Sequence, residues 1–167
     1  MAEISIIIDE ITHCLIERIS GIECPTTVRR IHPHERQFAD WNFDWTVPER
    51  KGAEVYALYI KNDDEAQGLI AFHAEPQNFC YYGDLLESNP KNIGHNGKYI
   101  GVGAHLTAFA CKTAKEKGYD AYFFLAKSDL VAHYAKTLGA MQIGNSQIMQ
   151  IVGTAFDRLV DAYYKEG

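Results

Sequence analysis

The pattern of apolar and polar positions divides the chain into stretches of two different periods. Thr26–Ile31 alternates as a half-buried strand does, and Ala53–Ile60, Gln67–Ala74 and Phe79–Leu86 read as three further strands rich in aliphatic and aromatic residues. Asn62–Glu65 is a short polar turn, so the last three strands predict an antiparallel meander, which runs out into the polar, glycine-containing loop Glu87–Gly97. Beyond the loop the period becomes helical. Ala104, Leu106, Thr107, Phe109, Ala110 and Ala114 fit a helix over Val102–Lys117, with Lys112, Lys115 and Lys117 opposing the negative end of the helix dipole and Gly118 placed to cap it. Ala121–Ala126 is a short apolar run, as a strand buried on both faces would be, and Leu130–Leu138 predicts a second helix closed by Gly139. Gln147–Val152 reads as one more strand. A closing helix follows, with Thr154 and Asp157 in capping-box-like spacing and Phe156, Leu159, Val160 and Tyr163 on one face. The first thirty residues fit two periods at once: Ile4, Ile7, Ile8, Ile11, Leu15 and Ile19 keep helical spacing while their β-branching favours strand. The spacing predicts a short helix there, then a turn at Ser20-Gly21.

Composition narrows the class. A chain of 167 residues that is 47% hydrophobic and 12% aromatic can bury one substantial core, and a single domain over 1–167 is expected. No run of eighteen apolar residues occurs, and Glu3, Asp9 and Glu10 stand where a secretory signal places Lys or Arg, so neither a membrane span nor export is expected. Cys14, Cys24, Cys80 and Cys111 are irregularly spaced without a C-x-x-C pair, which predicts no zinc site or disulfide framework and favours a reducing, cytoplasmic setting. His32-Pro33-His34 offers two ligands without a third, so no metal is expected. With 22 acidic against 16 basic residues the net charge is −6, which disfavours nucleic acid as a partner and suits a cationic acceptor. Trp41-Asn42-Phe43-Asp44-Trp45 is an aromatic cluster that either caps the core or lines a pocket.

The chemistry concentrates at Lys98-Tyr99-Ile100-Gly101-Val102-Gly103. Strand, glycine turn, helix and buried strand is the order that points backbone N–H groups at an anion, and Gly101 and Gly103 let that backbone approach a diphosphate closely, with Lys98 adding charge. A dinucleotide fingerprint requires a further glycine where Leu106 stands, and the Gly-Lys-Ser/Thr of a Walker loop is absent. The turn resembles the Arg/Gln-x-x-Gly-x-Gly/Ala signature of the GCN5-related N-acetyltransferases, the GNAT superfamily. The resemblance spans about Val55 to Ile151 and is strongest between Leu86 and Gly144. Lys98 stands where Arg or Gln is usual, Lys127-Ser128-Asp129 replaces a region where many members carry Asn, Ala140 replaces a Phe, and Tyr134 lies one residue further from Gly139 than is commonest.

The resemblance implies an α/β (α+β) fold with a mixed, largely antiparallel central sheet flanked by helices, here with an extra C-terminal helix. It divides the chain into acceptor-side elements (1–52), an acyl-CoA-binding core (53–152) and the closing helix (153–167). It implies acetyl-CoA as co-substrate and N-acetyl transfer to a primary amine, on a small molecule or a protein, by direct attack. Cofactor contacts are expected from Leu85, Leu86, Lys98, Tyr99, Ile100, Gly101, Val102, Gly103, Ala104 and Lys127, with a splayed or bulged strand around Asp84, Leu85 and Leu86 presenting N–H groups to the thioester. Glu87, at the strand end, is the expected base, with Asp84 and His105 as alternatives. Tyr134 is the expected acid towards the thiolate, with His133 in reserve. Two other readings stay open: a GNAT-like module that holds acyl-CoA without turnover, and a protein-interaction domain. A homodimer through the closing helix is a further possibility, with docking of that helix on its own domain preferred.

Overall fold

The computed structural model describes residues 2–11 and 13–164; the two ends of the domain assigned to 1–167 lie outside them. The elements in order are β1 (Leu15–Glu17), β2 (Glu23–Cys24), β3 (Thr26–Ile31), α1 (Val47–Arg50), β4 (Glu54–Ile60), β5 (Ala66–Glu75), β6 (Cys80–Ser88), β7 (Tyr99–Ile100), α2 (Val102–Glu116), β8 (Ala121–Leu125), α3 (Val131–Leu138), β9 (Met141–Gln142), β10 (Ile148–Val152) and α4 (Gly153–Tyr164). Among the described residues, seven strands form the main sheet in the order β3-β4-β5-β6-β8-β10-β9, and β2-β1-β7 form a small second sheet. The predicted meander is β4-β5-β6, antiparallel throughout, and β3 extends it at the edge. Only β6 and β8 run parallel in the main sheet, as a strand pair joined by a helical crossover must.

That crossover is α2, whose residues from Val102 to Cys111 are all buried. It packs on β5 and β6 beneath and against α4 above. Gly68 sets how closely it approaches: a Cβ there would lie 2.5 Å from Val102 Cγ1, so only glycine lets β5 pass under the start of the helix. The apolar face of α4 is spent within the chain, with Phe156, Leu159 and Val160 buried in the main core. A second core lies on the opposite face of the sheet, around Trp45, Val55, Leu69 and Leu85.

The short helix expected near the start is not formed. Ile4 makes a parallel bridge to Ala126, and Ser5 to Ile11 run on without a regular ladder. Ile4 and Ile8 are buried and Ile6 is partly buried, whereas Glu3, Ser5 and Ile7 are exposed, which is a spacing of two. The isoleucines satisfied both periods on paper. The extended form wins because it lays their side chains into a gap between β6 and β8 and leaves the backbone free to bond to the walls of that gap.

Candidate functional site

The site begins with a defect in β6. On β5, Ala71 pairs with Leu85 and the next residue, Phe72, pairs with Gly83, so Asp84 is the extra residue of a β-bulge. The bulge falls where the resemblance implied a splayed or bulged strand. On its other side β6 is paired with β8 only from Cys80↔Ala121 to Gly83↔Phe124. Past that point the two strands part, and Leu86 lies under the opening. Leu85 points to the other face, into the second core, so only its backbone can serve the opening.

The first turn of α2 stands at the mouth of this gap. Gly101 precedes the helix at φ +100°, a left-handed conformation that favours glycine, and its carbonyl takes the first intrahelical bond from His105. The N–H groups of that first turn have no intrahelical acceptors and carry the positive end of the dipole. Tyr99, Val102 and Gly103 border the open space, and Ala104 is buried behind them. Tyr99 and Ile100 are a strand rather than loop, pairing with Glu17 and Ile16 of β1. Lys98 is held beside this strand by Arg18, whose backbone N–H donates to the Lys98 carbonyl, and its ammonium lies 5.3 Å from the Tyr99 ring centre.

The gap is occupied by the chain's own Ile4–Asp9. Ile4 donates to the Leu125 carbonyl at 2.6 Å and accepts from Lys127 N at 2.9 Å. The Ile6 carbonyl accepts the Tyr134 hydroxyl at 2.6 Å, and Ile8 N donates to His133 Nε2 at 2.9 Å. Asp9 Oδ1 accepts from Gly101 N at 3.0 Å, so a carboxylate sits at the helix start where an anionic ligand is expected. Ile6 and Ile8 cover Gly103: a Cβ on that glycine would lie 3.1 Å from the Cδ1 atom of each.

On the far side of this segment a cavity of about 360 Å³ remains, bordered by Ser5, Ile7, Phe43, Leu86, Glu87 and Asn92 among others. Glu87 is buried beneath it, and its carboxylate accepts three hydrogen bonds. Asn42 N donates to Oε2 at 2.7 Å, while Phe43 N and Trp45 Nε1 donate to Oε1 at 3.3 and 2.8 Å. The aromatic cluster therefore has both roles considered for it: Trp45 is a core residue and Phe43 borders the cavity. Glu87 ties the segment carrying them to the end of β6.

The other sequence-predicted groups separate. Tyr134 is wholly buried, and burial, helped by the nearby Asp129 charge, pushes its phenol well above the ordinary range, so it stays a proton donor. The Lys127 backbone faces the gap while its ammonium lies 3.8 Å from Asp129. His105 is not at the site: it is buried against Thr26 and stacks on Tyr163. Asp84 faces a smaller cavity of about 230 Å³ on the opposite side of β6 and pairs with His73 at 2.7 Å. Partial burial opposes a charge on His73, but Asp84 and Glu75 outweigh it and raise its pKa. Away from the gap, His13, Cys14 and Glu23 bring ligand-type atoms within 4.8 Å of one another, though Arg158 lines the same hollow and its charge opposes a cation there. No helix of the described residues is long and apolar enough to cross a membrane.

Sequence reasoning missed Asp9 and the isoleucines before it as parts of the site. Nothing local marks them, because Asp9 and Gly101 are 92 positions apart and meet only through the tertiary fold.

No family model matches the sequence, and no curated protein matches it. Solved structures do match in fold. A mutant of the AtaT toxin bound to the C-terminus of the antitoxin AtaR has a TM-score of 0.59 at 15% identity, covering 81% of this chain and 98% of that one. AtaTR bound with acetyl-CoA gives 0.54 at 17% identity over 80% and 97%. N-acetylglutamate synthase from Neisseria gonorrhoeae, complexed with coenzyme A and N-acetyl-glutamate, gives 0.54 at 16% identity, over 78% of this chain and 35% of that longer one. The fold is that of the GNAT acetyltransferases, with the largely antiparallel sheet and flanking helices that the resemblance implied.

Proposed function

We propose that this chain binds an acyl-coenzyme A, with acetyl-CoA the leading candidate, between β6 and β8 and passes the acyl group to a primary amine by direct attack. One observation carries the reading: the one parallel strand pair of the main sheet among the described residues opens beside a bulge, with the first turn of α2 at its mouth. In this reading the diphosphate takes the N–H groups of Gly101 to Ala104, with Lys98 and Lys127 as nearby cations. The pantetheine amides bond to strand-edge groups such as Lys127 N, and the backbone of Leu85 and Leu86 faces the thioester. Tyr134, whose phenol keeps its proton, donates to the departing thiolate. The amine nitrogen bonds to the thioester carbon. As the tetrahedral species collapses, the C–S bond breaks, the thiolate takes the Tyr134 proton and the nitrogen's surplus proton passes to Glu87 or water.

Glu87 is the expected base, and three N–H donors already hold it. We assign it first to anchoring the Asn42–Trp45 wall of the acceptor cavity. Oε2 accepts from Asn42 N alone, so it keeps a lone pair for a proton from the incoming ammonium.

A gap already filled by residues 4–9 favours a second reading: a GNAT-fold module that holds acyl-CoA without turnover. Calorimetric titration with acetyl-CoA, run beside a thiol-release assay with a panel of amines, separates the two. Binding with amine-dependent thiol release is expected. Binding alone selects the module, and no binding by the wild type or any variant with residues 4–9 released overturns both.

A further inference from the structure

We propose that residues 4–9 are an intrasteric plug, an internal stand-in for acyl-CoA that must leave the gap before the coenzyme can enter it. The inference rests on the acyl-CoA reading and adds its regulation.

The plug meets, one after another, the groups that a ligand of this gap would need. Ile4 uses the Leu125 carbonyl and the Lys127 amide, the strand-edge pair that an extended amide-bearing chain would take. Ile6 takes the hydroxyl of Tyr134, a wholly buried phenol beside the gap. Asp9 supplies an anionic oxygen to Gly101 N at the positive end of α2. The strand-edge amide, the phenol and the helix start that an acyl-pantetheine-diphosphate chain would use are thus all taken, with the anion of both plug and ligand at the helix-start end. The two cannot share these donors.

The plug is also built to be released. Its backbone has one strand-type bridge, at Ile4, and the later bonds go to side chains or come from one. Ser5 and Ile7 are exposed, so of the apolar side chains only those of Ile4, Ile6 and Ile8 pack into the gap. A segment held this way opens locally at less cost than a laddered strand. The apparent affinity for the coenzyme is then its intrinsic affinity scaled by the fraction of molecules with the gap open.

The test uses acetyl-CoA as the probe. Wild type, Asp9→Ala, Ile8→Pro and a chain lacking residues 2–9 are titrated calorimetrically. Amide hydrogen exchange of the wild type is followed with and without acetyl-CoA. Asp9→Ala should tighten binding by about fivefold, since it removes an anion from the helix start and leaves the buried side chains in place. Ile8→Pro, which cannot donate to His133, should tighten it further, and the Ile4 and Ile8 amides should lose protection when acetyl-CoA is added. Equal affinity in wild type and Asp9→Ala, with Ile4 and Ile8 still protected in the complex, overturns the plug and leaves the acyl-CoA reading standing. Absence of binding in every variant overturns the acyl-CoA reading itself. The exchange experiment needs no variant to fold.

Discussion

The two halves of β6 face different neighbours on the β8 side. From Cys80 to Gly83 the neighbour is β8, in a regular parallel ladder with the main core packed on it. From Asp84 onward the neighbour is the Ile4–Asp9 segment, which reaches the walls through one bridge and a set of side-chain bonds. Both halves are filled, and both bury apolar side chains. The difference lies in what holds the filling. A ladder repeats its backbone bonds and cannot be exchanged without unfolding the sheet, whereas a segment held by scattered bonds can be replaced by a ligand that offers the same groups.

Substitutions in the laddered half should cost stability without any compensating gain in binding. Phe124→Ala removes a buried ring that meets Tyr134 edge-on at 5.3 Å between centroids, and should lower unfolding free energy by about 3 kcal/mol in urea titration. An effect under about 1 kcal/mol there would remove the contrast between the halves. At the mouth of the open half, Gly103→Glu puts a bulky anion on the first turn of α2 and should weaken acetyl-CoA binding by more than about 30-fold. Unchanged binding breaks the assignment of the diphosphate to that turn.

Glu87→Gln tests the wall of the open half. The amide offers one acceptor oxygen and turns an NH₂ towards backbone donors, so about 1–2 kcal/mol of stability should be lost. If amine-dependent thiol release falls by more than the folded fraction does, Glu87 has a chemical part as well as an anchoring one. Asp9→Ala should cost only about 0.5 kcal/mol in the unliganded protein. It is the substitution for which stability and ligand affinity move in opposite directions, which no residue of the laddered half should show.

The smallest effect belongs to His73, on the far face of the bulge. Its pKa should lie above the ordinary 6.5 in an NMR titration and fall in Asp84→Asn. Because the folded value is the higher one, the stabilisation from His73 is complete below 6.5 and is lost as the pH rises through the folded value. An unshifted histidine shows that Asp84 does not hold the imidazolium at the bulge.

The sequence by itself determined β3 to β6, α2, β8, α3, β10 and α4 to within a few residues, along with the glycine turn at the start of α2. Those elements are legible because their causes are local: alternation along a strand, an apolar helix face, lysines and a glycine at a helix end. Even the bulge before the turn was expected, although through resemblance and not through periodicity. The tertiary structure alone decided the fate of Ile4 to Ile8. Their spacing fits a helix and a strand equally, and the choice depended on a gap that exists only once Asp84 bulges and β6 parts from β8. Likewise Glu87 looked like a free carboxylate at a strand end until the fold brought it Trp45, 42 positions away. A sequence records which groups can bond, but the desolvated pocket that makes one partner win forms only when distant segments pack together.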